Sequence, residues 1–96
     1  TSTQDMLICL GRELDRHDAR LNRYWKKALA AEHESGRELL RRAQRAWLAF
    51  RDAQCRYEHG PEPAGSGAGV DEALCLVRMT RERADWLARL AGEKME

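Results

Sequence analysis

Apolar side chains recur along this chain at alternating intervals of three and four residues. That spacing places them on one face of an α-helix, which has 3.6 residues per turn. The pattern holds over three stretches, which we predict as helices 1 to 3 at Gln4–Ala31, Ser35–Glu58 and Val70–Gly92, the last beginning at Val70 or Asp71. Three helices of similar length, each with one apolar face, predict an all-α, up-down-up bundle.

Helix 2 has the clearest pattern, because segment 43–55 contains no glycine, proline or β-branched residue. Its main stripe, with one polar member, is Leu40, Ala43, Trp47, Phe50, Gln54 and Tyr57. Trp47 and Phe50 carry the largest apolar side chains, and we predict that they lie at the centre of the core. A second stripe on the same helix contains Gln44, Leu48, Arg51 and Cys55.

The connections between the helices differ in length and composition. Thr1 or Ser2 can cap helix 1, and the S-x-x-E capping box of Ser35 and Glu38 marks the start of helix 2. The first connection is short, so we predict that helices 1 and 2 are antiparallel neighbours. The second, residues 59–69, contains both prolines and four of the seven glycines, which predicts a loop.

Length and composition narrow the possible functions. Ninety-six residues predict one domain, 1–96, whose modest core gains from a crosslink. The net charge is only +1, and the basic residues of helices 1 and 2 alternate with acidic ones, as on a solvated helix face. Nucleic-acid binding is therefore not expected. No apolar run approaches the ~20 residues of a membrane span.

Three cysteines, Cys9, Cys55 and Cys75, fall at nearly one level of the predicted bundle. A Cys55–Cys75 bridge would close about 20 residues and stabilise the fold by about 3 kcal/mol. A Cys9–Cys55 bridge also fits this geometry. His59 is the histidine nearest this level, but no metal-binding spacing such as C-x-x-C is present. We expect neither a metal nor a cofactor.

Segment 43–55, A-Q-R-A-W-L-A-F-R-D-A-Q-C, resembles the signature of the LprI-type lysozyme-inhibitor family. Segment 75–83, C-L-V-R-M-T-R-E-R, resembles that family's C-L-x-x-L-T-x-x-R. In helix 1, T-Q-D-M at 3–6 followed by Cys9, and D-A-R-L-N at 18–22, are similar to its T-Q-x-x-M-x-x-C and D-x-x-L-N. The resemblance covers nearly the whole chain in the family's order.

The resemblance implies a small helical domain that is exported to the periplasm or secreted, or held by a lipid anchor upstream of Thr1. Members usually carry another cysteine before the T-Q segment, which is missing here. The resemblance therefore implies that the partner of Cys9 lies upstream and that Cys55 pairs with Cys75. Position 25 is Trp where members usually have Tyr.

We predict a structural role for the residues that match the family motifs. Asp18 and Arg51 lie at equal distances from the first turn, so we expect an ion pair between helices 1 and 2, of the kind that specifies register. Asn22 and Gln44 would complete this polar edge. The full set is Asp18, Asn22, Gln44, Trp47, Arg51, Asp52, Thr80 and Arg83.

We predict a protein that binds and inhibits a cell-wall-degrading enzyme, as the resemblance implies. The sequence shows no nucleophile beside a base and no paired carboxylates in a cleft, so an enzyme is not expected. Two alternatives stay open: an immunity protein against a toxin delivered by a competing bacterium, and a structural periplasmic interaction module. In each case the partner is a protein.

The predicted inhibitory surface is the loop between helices 2 and 3 with its flanks. Small residues at its tip could enter the groove of an enzyme, acidic residues around it could steer a basic partner, and two arginines could pair with carboxylates. The set is Gly65, Ser66, Gly67, Glu62, Asp71, Glu72, Arg56 and Arg78. The competing interpretation is that the glycines only close the hairpin.

Overall fold

Three α-helices make up the computed structural model, which describes residues 2–61 and 66–92. They are α1 (Thr3–Ala30), α2 (Glu34–His59) and α3 (Ser66–Leu90). No strand occurs within the described ranges. The predicted all-α class with three helices and a disulfide is confirmed.

The helix starts agree with the predicted caps at α1 but not at α2. The Ser2 hydroxyl accepts a hydrogen bond from the Asp5 backbone N–H at 3.0 Å, as expected of an N-cap. The capping box predicted at Ser35 is wrong, because α2 begins at Glu34 with His33 at its N-cap and no side-chain cap hydrogen bond. The Glu38 carboxylate instead lies within 4.0 Å of three guanidinium groups, those of Arg41, Arg42 and Arg45.

The segment predicted as a loop is partly helical. α2 ends at His59, and Gly60 follows with φ 101°, a conformation that favours glycine. α3 begins at Ser66 rather than at Val70 or Asp71. The remainder of the predicted loop, residues 62–65, lies outside the described residues.

α3 is the central helix of the fold. It packs closely along both α1 and α2. α1 and α2 also meet, through side chains: Leu40 shares the core cluster with Leu21, and Arg37 Nε donates to the Leu29 carbonyl at 3.1 Å. The antiparallel order predicted for helices 1 and 2 stays a prediction. The Cα trace measures 47 × 28 × 15 Å, so the molecule is flat in one direction. α3 can serve both partners because its buried positions lie on more than one side: Val70, Cys75, Val77, Thr80, Ala84, Leu87 and Ala88.

Contacts along α3 define how the helices run. Residues of increasing number along α2 contact residues of decreasing number along α3, in the pairs Gln44–Arg83, Arg51–Thr80 and Cys55–Cys75. α2 and α3 are therefore antiparallel. The predicted up-down-up order stays a prediction, which a salt bridge between Arg20 of α1 and Asp85 of α3 favours together with the α2–α3 pairs.

The main apolar cluster lies toward the end where α1 and α3 finish. Its buried members are Leu21, Ala28, Leu40, Ala84 and Leu87. Trp47 is half-buried and packs against this cluster, as predicted in part. Phe50 does not belong to the core, because 58% of its surface is exposed.

The rotation of α2 explains why Phe50 is exposed. Cys55 must face Cys75 on α3, and at 100° per residue Phe50 points about 140° away from Cys55 around the helix. The buried face of α2 therefore contains Gln44 and Cys55 of the second stripe together with Leu40 of the main stripe. Tyr57, also in the main stripe, is 78% exposed.

Candidate functional site

A buried disulfide links the second half of α2 to the first half of α3. Cys55 and Cys75 are bonded, with their Cα atoms 5.4 Å apart, and neither side chain is exposed. The Met79 sulfur lies 3.8 and 3.9 Å from the two cysteine sulfurs and covers the bond. The predicted pairing is confirmed, and Cys9 is a free, exposed cysteine of α1.

Polar contacts beside the disulfide hold the last turn of α2 against α3. The Glu58 carboxylate accepts hydrogen bonds from Gln54 at 3.1 Å and from Arg78 at 3.0 Å. These two bonds, Gln54 first, lower the pKa of Glu58 below its ordinary value. A disulfide and an ion pair therefore position the same two helix ends. We call this region, residues 55–59 of α2 and 71–78 of α3, the disulfide end.

The disulfide end contains part of the predicted inhibitory surface. Asp71 and Arg56 are exposed and Glu72 is half-buried, while Arg78 is engaged with Glu58. The Arg56 guanidinium donates to Nδ1 of His59 at 2.7 Å. Ser66 and Gly67 lie in the first turn of α3 rather than in a loop, and Glu62 and Gly65 lie outside the described residues. The inhibitory surface stays a prediction.

A polar cluster lies between α2 and α3 on the buried side of α2. Arg83 donates from Nε to the Gln44 side-chain oxygen at 2.9 Å, and Arg51 donates to the Thr80 hydroxyl at 3.2 Å. The Cζ atoms of Arg51 and Arg83 lie 5.3 and 5.6 Å from the centre of the Trp47 ring. Such cation–π contacts are favourable where water is excluded. These contacts support the structural role predicted for the motif residues.

Arg83 is the most constrained member of this polar cluster. Its guanidinium also stacks on Trp86 at 4.3 Å, so it is held between two indole rings. Its Nη2 atom is buried and has no hydrogen-bond partner among the described residues. Burial lowers the pKa of Arg83, because it disfavours the charged form. The stacking against Trp47 and Trp86 offsets part of this desolvation cost.

The predicted ion pair between Asp18 and Arg51 is absent. Arg51 bonds to Thr80 and to its neighbour Asp52, whose carboxylate is 3.0 Å away, while Asp18 is exposed on α1. The physical reason is that α3 covers the part of α2 that carries Arg51. Asn22 is also exposed, and with Asp18 and Gln44 it lines a cleft of about 270 Å³ between α1 and α2.

Two further contacts were not predicted from the sequence. Arg20 and Asp85 form a 2.7 Å salt bridge that ties α1 to α3, and 65 residues separate them in the chain. No local pattern indicates such a pair. Trp86 was detectable, because it follows Arg83 by three residues and side chains at that spacing meet on a helix.

Over the described ranges, no group of three His, Cys, Asp or Glu side chains is arranged to hold a metal ion. Within the same ranges, no helix has the length and apolar character needed to cross a membrane. What the described surface offers is a crosslinked, charged end and an apolar outer side of α2.

Comparison with known proteins agrees with the motifs. A family model described as "Lysozyme inhibitor LprI" matches residues 1–87. An uncharacterised protein of Rhizobium meliloti (strain 1021) is 30% identical in an alignment of 102 positions that covers 93% of this chain and 73% of that protein. No solved structure is significantly similar to the chain. The family match covers α1, α2 and α3 as far as residue 87, with the disulfide and the polar cluster, and the chain therefore belongs to the LprI lysozyme-inhibitor family.

Proposed function

We propose that this protein binds a lysozyme, or another enzyme that cleaves peptidoglycan, and inhibits it. The observation that carries the proposal is the family match over residues 1–87, since the family is described as lysozyme inhibitors. Inhibition of this kind needs a surface that docks on the enzyme and no catalytic group of its own. The relative in Rhizobium meliloti is uncharacterised and adds no function.

We place this activity in the periplasm or outside the cell. The support is the buried Cys55–Cys75 disulfide, because structural disulfides persist in oxidising compartments and are rare in the reducing cytosol. Peptidoglycan and the enzymes that cleave it lie in the same compartments. Location and proposed target are therefore consistent with each other.

The proposed docking surface is the disulfide end together with the segment 62–67 before it. The disulfide and the Glu58–Arg78 ion pair fix two helix ends in advance, which lowers the entropy lost on binding. Asp71 and Glu72 have no ion pair with another described residue, so their charge is available to steer a basic enzyme. Arg56 is exposed and can pair with a carboxylate of the enzyme.

The test is inhibition of a c-type lysozyme acting on peptidoglycan, measured as an initial rate. Two variants alter the proposed surface: Ser66→Trp adds bulk, and Glu62→Lys/Asp71→Lys/Glu72→Lys reverses its charge. The matched control, Asp15→Lys/Glu34→Lys/Glu82→Lys, makes the same change of charge away from the disulfide end. We expect both surface variants to weaken inhibition by about tenfold or more and the control to inhibit like wild type.

Two results would contradict parts of this proposal. Equal inhibition by wild type and both surface variants would move the docking surface away from the disulfide end. A wild-type protein that inhibits no lysozyme in a panel would remove the proposed target and favour immunity against a delivered toxin.

A further inference from the structure

The outer side of α2 carries a regular apolar stripe that no other helix covers. We call it the outer stripe; its members are Leu39, Ala43, Ala46, Phe50, Ala53 and Tyr57, all exposed. The intervals of four and three residues are those by which two helices pack side by side in a coiled coil. Exposed fractions of 65% for Leu39, 58% for Phe50 and 78% for Tyr57 are unusual for such large apolar side chains, and patches of this kind mark interaction surfaces.

One end of the outer stripe contains a hollow, and the other end contains a protruding side chain. The hollow, of about 440 Å³, is lined by Ala53, Arg56, Tyr57, Gly60 and Pro61. Ala53, Arg56 and Tyr57 occupy positions i, i+3 and i+4 of α2, and Gly60, directly after the helix, borders the fourth side of a hole for a knob from a facing helix. At the opposite end of the stripe, Leu39 projects into solvent.

The hollow and the projecting Leu39 lie at about equal distances from Leu48, on opposite sides of it along α2. Leu39 lies about nine residues before Leu48, and the middle of the hollow lies about nine residues after it, or ~13 Å in each direction. A second copy turned by a two-fold axis at the level of Leu48 would therefore insert its Leu39 into this hollow and receive the first copy's Leu39 in return. The same rotation sets each Phe50 against Ala46 of the second copy, a large residue against a small one.

We propose that two copies of this chain associate through the outer stripe, with their α2 helices antiparallel. A two-fold dimer needs one surface that is complementary to itself. The leucine and the hollow, and Phe50 and Ala46, meet that requirement. This association rests on the outer stripe and not on the proposed inhibition, although Arg56 belongs to both surfaces.

Charges beside the outer stripe select the antiparallel direction. Glu38 and Arg56 lie on the same flank of α2, and the two-fold rotation brings Glu38 of one copy next to Arg56 of the other. The Glu38 carboxylate is already 3.5 Å from Arg42, so it lies between Arg42 and the second copy's Arg56 and offsets their repulsion. A parallel pair would instead place this flank of the two copies on opposite sides of the contact, where Glu38 of one copy could not meet Arg56 of the other.

The same flank argues for a second copy over a strongly basic enzyme as the occupant. Its exposed charges are three arginines and two acids: Arg42, Arg45, Arg56, Glu38 and Asp52. Their sum is positive, which disfavours a strongly cationic enzyme, whereas a second copy can pair its Arg56 with Glu38 across the contact. One pair of helices is a small contact, near the lower end of specific interfaces, so we expect the dimer to form at roughly tens of micromolar protein.

Sedimentation velocity over a range of protein concentrations tests the association. All proteins should carry Cys9→Ser, because Cys9 is exposed and could link copies by oxidation. We expect the parent to change from monomer at about 1 µM to dimer at several hundred micromolar, and Phe50→Glu to stay monomeric throughout. The matched control is Ile8→Glu on α1, which also places a charge at a half-exposed apolar site and should dimerise like the parent.

Two more variants test the register. Ala46→Trp fills the space that Phe50 of the second copy needs and should abolish dimerisation without altering the fold. Glu38→Arg should weaken the dimer about tenfold, and Glu38→Arg/Arg56→Glu should restore much of the loss by exchanging the two charges. Helical circular dichroism and thermal melting of each variant verify that it is folded.

Each remaining outcome overturns the proposal in a defined way. A parent that stays monomeric at several hundred micromolar removes the self-association. Equal effects of Phe50→Glu and Ile8→Glu place the contact elsewhere, and failure of the charge exchange removes the antiparallel register. Loss of lysozyme inhibition in Phe50→Glu, with a monomeric parent, would assign the outer stripe to the enzyme instead.

Discussion

The two sides of α2 differ in a way that apolar composition alone does not explain. The inner side includes polar Gln44 and Arg51 beside Leu40, Cys55 and the half-buried Trp47, and α3 covers these polar groups. The outer stripe is apolar, with Phe50 and Tyr57, yet it is open to solvent. Each inner polar group has a partner on α3, and polar groups with partners can be buried. The comparison indicates that available partners, as well as hydrophobicity, decide which side of a helix is buried.

Among the contacts on the inner side of α2, we expect the disulfide to make the largest single contribution to the free energy of unfolding. Cys55→Ala/Cys75→Ala should lower the free energy of unfolding by about 3 kcal/mol, because the crosslink restricts the unfolded chain. Urea unfolding measures the loss. The control Cys9→Ser, at an exposed site, should stay within about 0.5 kcal/mol of wild type. A double variant no less stable than this control would contradict the assignment.

The hydrogen bond between Gln44 and Arg83 is the next largest expected effect. Gln44→Leu leaves the Arg83 Nε–H without its acceptor inside the protein, which should cost about 1–3 kcal/mol. Gln44→Leu/Arg83→Met removes both groups and should cost less than Gln44→Leu alone. Urea unfolding of the two variants provides the comparison. A double variant less stable than the single one would show that the stacking of Arg83 outweighs this bond.

The features that were predictable from the sequence depend on local patterns. The helix count and the bounds of α1 follow from spacing and from the Ser2 cap, and these agree with the structure to within a residue. The disulfide was one of two pairings that the spacing allowed, and the family resemblance selected between them. The family motifs also identified the residues that form the polar cluster between α2 and α3.

The rotation of α2 was not predictable, because it depends on distant residues. Arg51 meets Thr80 across 29 residues and Gln44 meets Arg83 across 39, so no local window indicates that these polar side chains will be buried. Apolar periodicity alone favoured the stripe with Phe50. The early start of α3 also depends on a distant residue. The glycines of its first turn are weak helix formers. This turn packs against α1, since a Cβ at Gly69 would lie 3.8 Å from the Leu7 side chain.

A smaller effect concerns acid stability at the disulfide end. The pKa of Glu58 is lower in the folded protein than in the unfolded chain, because Gln54 and Arg78 donate to its carboxylate. The unfolded state therefore binds more protons in acid than the folded state does. The stability that Glu58 contributes is fully present above the ordinary pKa of its carboxyl group and is lost as the pH falls through the lowered pKa of the folded protein. Glu58→Gln should lose less stability than wild type on acidification from about pH 7 to pH 3. Identical pH profiles would contradict this.

The comparison of the two sides of α2 is tested most directly by Trp47→Ala and Phe50→Ala, at positions three residues apart. Their free energies of unfolding should be measured in urea at about 1 µM, where the monomer is expected to dominate. We expect Trp47→Ala to cost about 2 kcal/mol or more, below the ~3–5 kcal/mol of a fully buried tryptophan. Phe50→Ala should change stability by no more than about 0.5 kcal/mol. A larger loss for Phe50→Ala than for Trp47→Ala would show that the apolar stripe faces the core and that the account of α2 is wrong.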